Sequence, residues 1–307
     1  MEHNNVNAFS AEDVQNALAL MTTGDEPGRL IPRPWLKLLQ HVAPCVRSED
    51  EFARFFDEIL TMQLSGDLMG VLFPGSAWGG IKYSNWLPEF FVLASMGVDG
   101  VSYGAVIRAP ELAADDFPWG EFSPMDDEPI SLLGLDTLDA LRNLAAEAVL
   151  LRDDELDDEE DASESDSAAK ELNLKVLGNV LGAAFAIPQK SSRFTAGGDF
   201  RKLPKPSHPG YLYVPTPDGM GVFAPDSAFE PTHRKSGKCR TAPLNDLIDA
   251  ASRAMASSFP ASSLLYSRAA RWEYGFDKDL APRINLLIAD AYDALGRHYF
   301  ASQMRAL

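Results

Sequence analysis

The sequence predicts an α+β fold: helices packed on a mostly antiparallel sheet in the N-terminal half, then Pro-rich strands and turns, then a helical C-terminal segment. Three observations predict it. Capped, amphipathic segments open the chain, and β-branched and aromatic runs broken by Gly and Pro begin near residue 69. The last segment alternates helical runs with breaks at Pro260, Gly275 and Pro282, which predicts three helices.

Three segments near the N-terminus predict helices. Ser10 stands at an N-cap position before an apolar pattern with helical spacing, and the proline-led RPWLKLLQHV follows. Ser48 and Glu51 form a capping box ahead of an apolar stripe that includes Phe52 and Phe56. Since such a stripe usually faces a core, we expect it to pack on the rest of the domain.

The sheet is predicted from the stretch that follows. Gly97, Asp99 and Gly100 provide the turn residues in front of the strand VSYGAVI, and EPISLLG is a further strand candidate. The run TLDALRNLAAEAVLL returns to helical spacing and predicts a helix that closes the sheet.

Composition divides the chain into an α+β domain at 1–151, an acidic segment at 152–171 and a second unit at 172–307. In the acidic segment like charges repel, and too few apolar groups are present to offset the entropy of ordering, which predicts a disordered linker or loop. This segment is either a solvated spacer or an acidic docking tail.

The net charge of −18 disfavours nucleic acid and anionic membranes as partners and favours a basic protein. Residues 188–240 are locally basic, but the overall field argues against a nucleic-acid site there. Only Cys45 and Cys239 are present, no apolar run is long enough to span a bilayer, and the first residues lack a signal-peptide pattern. We therefore expect a cytoplasmic protein.

Enzymatic motifs are not found in the sequence. Ser76 lacks the leading glycine of a G-x-S-x-G elbow, and the five histidines show no H-E-x-x-H pair. Neither a metal nor another cofactor is predicted. An enzyme with an unrecognised site stays open as an alternative through Asp99, Tyr103 and Glu111.

The stretch from the Gly97-Val-Asp99-Gly100 turn through VSYGAVI and EPISLLG to TLDALRNLAA resembles the sheet core of SUKH-type proteins. This superfamily contains yeast cell-wall-synthesis regulators and bacterial toxin-immunity proteins. Upstream, IPRPWLKLLQHV is similar to the family's early proline-led helix, so the resemblance covers about residues 30–150. It implies an α+β fold and a function in binding another protein.

The acidic and aromatic stretch inside this region predicts a partner-binding surface, since aromatic side chains give contact area and carboxylates attract a basic partner. The predicted site residues are Asp115, Asp116, Phe117, Trp119, Glu121, Phe122, Asp126, Asp127 and Glu128. Alternatively, the three aromatic side chains pin a long loop to the sheet.

The leading functional hypothesis is a bacterial immunity protein, not an enzyme, that binds and neutralises a basic toxin such as a nuclease by electrostatic steering and aromatic anchoring. A regulatory scaffold, whose C-terminal helices bind a cellular partner, is the second hypothesis.

Overall fold

The computed structural model describes residues 11–23, 30–45, 48–60, 62–72, 86–96, 100–112, 114–124, 130–145, 198–199, 205–236, 242–275 and 277–307. The predicted linker at 152–171 lies outside these residues. So do the candidate functional residues Asp99, Asp126, Asp127 and Glu128, together with Ser10, Ser76, Gly97 and Cys239.

Five short helices form the N-terminal part: α1 (Ala11–Thr23), α2 (Arg33–Val42), α3 (Glu49–Arg54), α4 (Asp57–Leu60) and α5 (Gly66–Leu72). The N-cap at Ser48 is confirmed, because its hydroxyl accepts the backbone N–H of Glu51 at 3.0 Å. The single helix predicted after it is broken at residues 55–56, where the Phe56 ring turns onto Trp35 with the centroids 5.0 Å apart. Core packing therefore overrides the helical pattern.

The predicted sheet is confirmed and antiparallel. Its strands, in spatial as well as chain order, are β1 (Gln63–Leu64), β2 (Phe90–Ser95), β3 (Ser102–Val106), β4 (Trp119–Phe122), β5 (Ile130–Gly134) and β6 (Gly198–Asp199). A helix, α6 (137–145), follows β5. Gly134 allows this helix to lie close to the strand, because a Cβ there would collide with the backbone of Ala140.

The C-terminal part opens with a hairpin of β7 (Tyr211–Val214) and β8 (Val222–Pro225), followed by the 3₁₀ turn Asp226–Ala228. Its helices are α7 (Pro231–Ser236), α8 (Leu244–Ala256), α9 (Pro260–Tyr274), α10 (Ala281–Ala294) and α11 (His298–Arg305). The prediction of three helices in the last segment is wrong, since α8 to α11 are four. The additional break lies at residues 295–297, between α10 and α11. It contains Gly296, whose φ of 75° is costly for residues other than glycine.

One hydrophobic cluster extends through both parts of the chain, from Trp35 and Leu133 to Leu264 and Phe300. A smaller cluster on the other face of the sheet includes Phe90, Phe122 and, from the hairpin turn, Met220. The division into two units stays a prediction. The described residues of both parts contribute to this shared hydrophobic cluster. None of the helices described here has the length and apolar character needed to cross a membrane.

Candidate functional site

The loop that leads into β4 carries the first predicted partner-binding residues and is held from two sides. The carbonyl oxygen of Asp115 accepts the backbone N–H of Arg33, at the start of α2, at 2.7 Å. The Asp116 carboxylate accepts the hydroxyl of Thr137 at 2.6 Å and the backbone N–H groups of Phe117 and Thr137. Thr137 begins α6, so Asp116 satisfies donors at a helix N-terminus. Asp115 is exposed, whereas Asp116 is half-buried.

The expectation that the aromatic side chains of this stretch are exposed is wrong. Phe117, Trp119 and Phe122 are only 9%, 0% and 1% exposed. The Trp119 Nε1–H donates to the Thr137 hydroxyl oxygen at 3.1 Å, and Phe122 packs beside Phe90 on the opposite face of the sheet. Both faces of β4 are covered, so alternate residues are buried on each side. These aromatic side chains hold the loop and strand in the core, as in the alternative interpretation. In this structure they are too buried to contact a binding partner.

Glu121 is the remaining described residue of the predicted surface. It lies half-buried on β4, opposite Tyr103 on β3 and Ser131 on β5. Its position inside the sheet, with a strand on either side, gives it less access to a partner than Asp115 has.

Four aspartates nevertheless belong to the end of the loop and the start of α6 that the bonds between Asp116 and Thr137 join. We call this group the acidic corner: Asp115, Asp116, Asp136 and Asp139. Asp136 accepts the backbone N–H of Asp139 at 2.8 Å, in the manner of an N-cap. Burial raises the pKa of Asp116, the hydrogen bonds from Thr137 and Phe117 act in the opposite direction, and the nearby Asp136 raises the pKa further. The partial positive charge of a helix N-terminus stabilises negative charge at such a place.

A second group of charged residues is buried where α9 meets the sheet and the hairpin. The guanidinium of Arg268, which is 0% exposed, donates to Glu89 at 2.8 Å and to both carboxylate oxygens of Asp218 at 2.6 and 3.0 Å. It also donates to the carbonyl oxygen of Gly221 at 2.9 Å. Burial lowers the pKa of Arg268, but Asp218 and Glu89 outweigh it, so the pKa is raised and the residue stays charged.

Two more arginines join the C-terminal helices to the N-terminal part. Arg271 donates to the carbonyl oxygen of Trp86 at 2.6 Å, and burial lowers the pKa of Arg271 to about 10. Arg297 donates to both carboxylate oxygens of Glu111 at 2.7 and 3.0 Å, and to the carbonyl oxygen of Phe223 at 2.6 Å. Together with Arg268, these side chains attach α9 and the start of α11 to the sheet region.

Two residues named for the alternative of an enzyme, Glu111 and Tyr103, have contacts that stabilise the fold. Glu111 is held by Arg297, and Tyr103 is only 2% exposed in the core. Glu230, His233 and Ser262 have the residue types of a hydrolase triad and lie close together. The sequence analysis did not identify this group. His233 Nδ1 lies 2.7 Å from the Ser262 hydroxyl oxygen and 3.8 Å from the Glu230 carboxylate.

This group does not have the geometry of a hydrolase triad. In a triad one imidazole nitrogen contacts the nucleophile and the other contacts the carboxylate, whereas here both approach Nδ1. Ser262 is also 0% exposed, and its hydroxyl oxygen already accepts the backbone N–H of Glu230 at 2.8 Å. A substrate therefore cannot reach the hydroxyl in this structure, and the contacts join α7 to α9.

Within the described part of the chain, His, Cys, Asp and Glu side chains form no group of three or more that could hold a metal ion. In comparisons with known proteins, no family model matches the chain and no curated protein matches its sequence. The fold and the geometry of the acidic corner are therefore the observations on which a function can be argued.

Proposed function

We propose that this chain is a non-enzymatic immunity-type protein that binds and neutralises a basic bacterial toxin, such as a nuclease, in the cytoplasm. The acidic corner carries the proposal. Its carboxylates stand at the surface or half-buried, and hydrogen bonds to the N-terminus of α6 fix two of them in place. A fixed group of like charges on a chain of net charge −18 attracts and orients a basic partner.

The residues of the corner have different roles in this proposal. Asp115, Asp136 and Asp139 face the partner and accelerate its association. Asp116 is a positioning residue, because its carboxylate is occupied by Thr137 and Phe117 and fixes the loop that presents Asp115. The proposal retains the electrostatic steering of the sequence-based hypothesis. It does not retain aromatic anchoring, because Phe117, Trp119 and Phe122 are buried.

The resemblance to SUKH-type proteins supports the same proposal, because the acidic corner lies inside the segment that resembles them. The acidic segment at 152–171 adds negative charge in sequence just after α6, and so favours the same class of partner.

A growth test distinguishes the three functional hypotheses. The chain is expressed together with the product of a secreted-toxin gene found beside its own gene, and cell growth is measured. We expect growth to be restored, and the purified toxin to lose activity on its substrate when one equivalent of the chain is added.

If restored growth is accompanied by chemical turnover of the toxin or of its substrate by the isolated chain, an enzyme replaces the binding protein. A gene that is distant from any toxin gene, and a chain that protects against no such toxin, contradict the proposal and favour the regulatory scaffold.

A further inference from the structure

The short helix α7 is attached to the N-terminal end of α9 through a buried histidine. His233, on α7, is 3% exposed, and its Nδ1 lies 2.7 Å from the hydroxyl oxygen of Ser262. The same hydroxyl oxygen accepts the backbone N–H of Glu230 at 2.8 Å. One serine hydroxyl therefore holds both the residue that precedes α7 and a side chain within it.

The hydrogens of this contact can be assigned from its donors and acceptors. The Ser262 oxygen accepts from the Glu230 N–H, so its own hydrogen is available to the unprotonated Nδ1 of a neutral imidazole. In this arrangement the ring carries its hydrogen on Nε2, and the Glu230 N–H and the Ser262 hydroxyl hydrogen each have an acceptor.

Protonation of the ring disturbs this arrangement in two ways. Nδ1 becomes a donor, so the Ser262 oxygen receives two donors and its own hydrogen loses Nδ1 as its acceptor. A positive charge is also placed in a site that is almost closed to water, which is costly unless a carboxylate approaches it.

The surroundings offer this charge little compensation. The Glu230 carboxylate lies 3.8 Å from Nδ1, but it accepts the Tyr266 hydroxyl of α9 at 3.0 Å and is 27% exposed. Tyr266 also packs its ring against the imidazole with the centroids 5.1 Å apart. The neighbouring cation, Arg234, donates to the carbonyl oxygens of Phe229 and Ser227.

We propose that His233 is a pH-sensitive latch: α7 stays docked on α9 while the imidazole is neutral, and residues 229–236 detach when it is protonated. Detachment uncovers Phe229 and Ser262, both 0% exposed when the latch is closed. The proposal concerns the conformation of the chain and does not depend on the function proposed above.

The direction of the pH dependence follows from the burial of the ring. Burial lowers the pKa of His233 below 6.5, and the attraction of Glu230 only partly opposes this. The detached form, with the ring in water, keeps a pKa near 6.5 and so binds more protons than the docked form. As the pH falls below 6.5, the population of the detached form rises by up to about tenfold per pH unit until the lower pKa is reached.

Hydrogen exchange of the full chain, measured by mass spectrometry and corrected for the intrinsic effect of pH, tests the latch. Between about pH 7.5 and pH 5, we expect peptides from 229–236 to lose severalfold in protection. Peptides from α10 should keep theirs. Equal protection of 229–236 at both pH values overturns the proposal.

Two variants separate titration of His233 from a general effect of acid. His233→Asn keeps an acceptor near the position of Nδ1 but cannot titrate, so the pH dependence at 229–236 should vanish. His298→Asn is the matched control, because His298 is an exposed histidine that contacts Asp293. In this variant the protection of 229–236 should depend on pH as it does in the wild type. If His233→Asn is as sensitive to pH as the wild type, the latch is contradicted. If this variant folds poorly, equal protection of 229–236 at both pH values in the wild type still overturns the proposal.

Discussion

The acidic corner and the buried site around Arg268 both consist of carboxylates held by donors, but they differ in what the donors are. At the corner, Asp116 accepts from Thr137 and from the backbone N–H of Phe117, and Asp136 accepts from the backbone N–H of Asp139. At the buried site, Glu89 and Asp218 accept from one guanidinium that is shut off from water.

This difference determines what each set of carboxylates can do. Backbone donors at a helix N-terminus hold a carboxylate through hydrogen bonds and a partial positive charge, without a full cationic group. The Arg268 guanidinium offsets one of the two negative charges of Glu89 and Asp218, and these buried carboxylates contribute to holding α9 against the sheet. Under the proposed function, the same residue type thus serves recognition in one region and assembly in the other.

The largest effect is expected at the buried site. Arg268→Ala leaves Glu89 and Asp218 without their cation, and the loss of one partner of a buried ion pair costs about 3–5 kcal/mol. Urea denaturation should show this loss in the free energy of unfolding. Arg305→Ala is the control: Arg305 pairs with Asp290 and Asp293 at the surface, and its removal should leave the denaturation midpoint almost unchanged.

Equal midpoints for the two arginine variants would contradict the assembly role of Arg268. Near-UV circular dichroism of Arg268→Ala adds a second readout, because altered packing of the aromatic core is expected even where some folded structure persists.

A smaller effect is expected at the corner. Thr137→Val removes a hydroxyl that donates to Asp116 and accepts from Trp119, with little change in shape. Leaving the buried Trp119 Nε1–H without this acceptor should lower the free energy of unfolding by about 1–3 kcal/mol, measured by urea denaturation. Thr232→Val, at an exposed position, is the matched control and should have no measurable effect. Equal losses for both threonine variants would show that the link from Trp119 through Thr137 to Asp116 does not stabilise the corner.

The sequence predicted the local helices and strands of the N-terminal half better than the contacts between distant segments, for a physical reason. Local signals such as the Ser48 cap and the alternation of apolar residues indicated helices and antiparallel strands that the structure confirms. The same alternation could not show that both faces of β4 are covered, because the covering elements come from distant parts of the chain. From the sequence alone, an exposed Trp119 and a Trp119 that pins the loop to the sheet therefore both stay open, and the structure places the side chain in the core.

The ion pairs of the second region were missed because sequence distance conceals them. Glu89 and Arg268 are 179 residues apart, and neither belongs to a motif. One signal was present: Arg268 lies among the small and apolar residues of SSLLYSRAARW, and an arginine on the buried side of such a helix needs a carboxylate partner. The identity of that partner is fixed only by the fold.

The rate of association with the basic toxin, measured by stopped-flow fluorescence at low and high salt, tests the role of the acidic corner most directly. Two double variants make the same change in net charge: Asp115→Lys with Asp136→Lys at the corner, and Asp226→Lys with Asp249→Lys at exposed positions elsewhere. We expect the corner variant to associate at least about tenfold more slowly than the control variant at low salt, and the difference to shrink as salt is added. Equal rates for the two variants would show that only the total charge of the chain attracts the partner, and would contradict the assignment of the binding surface to the acidic corner.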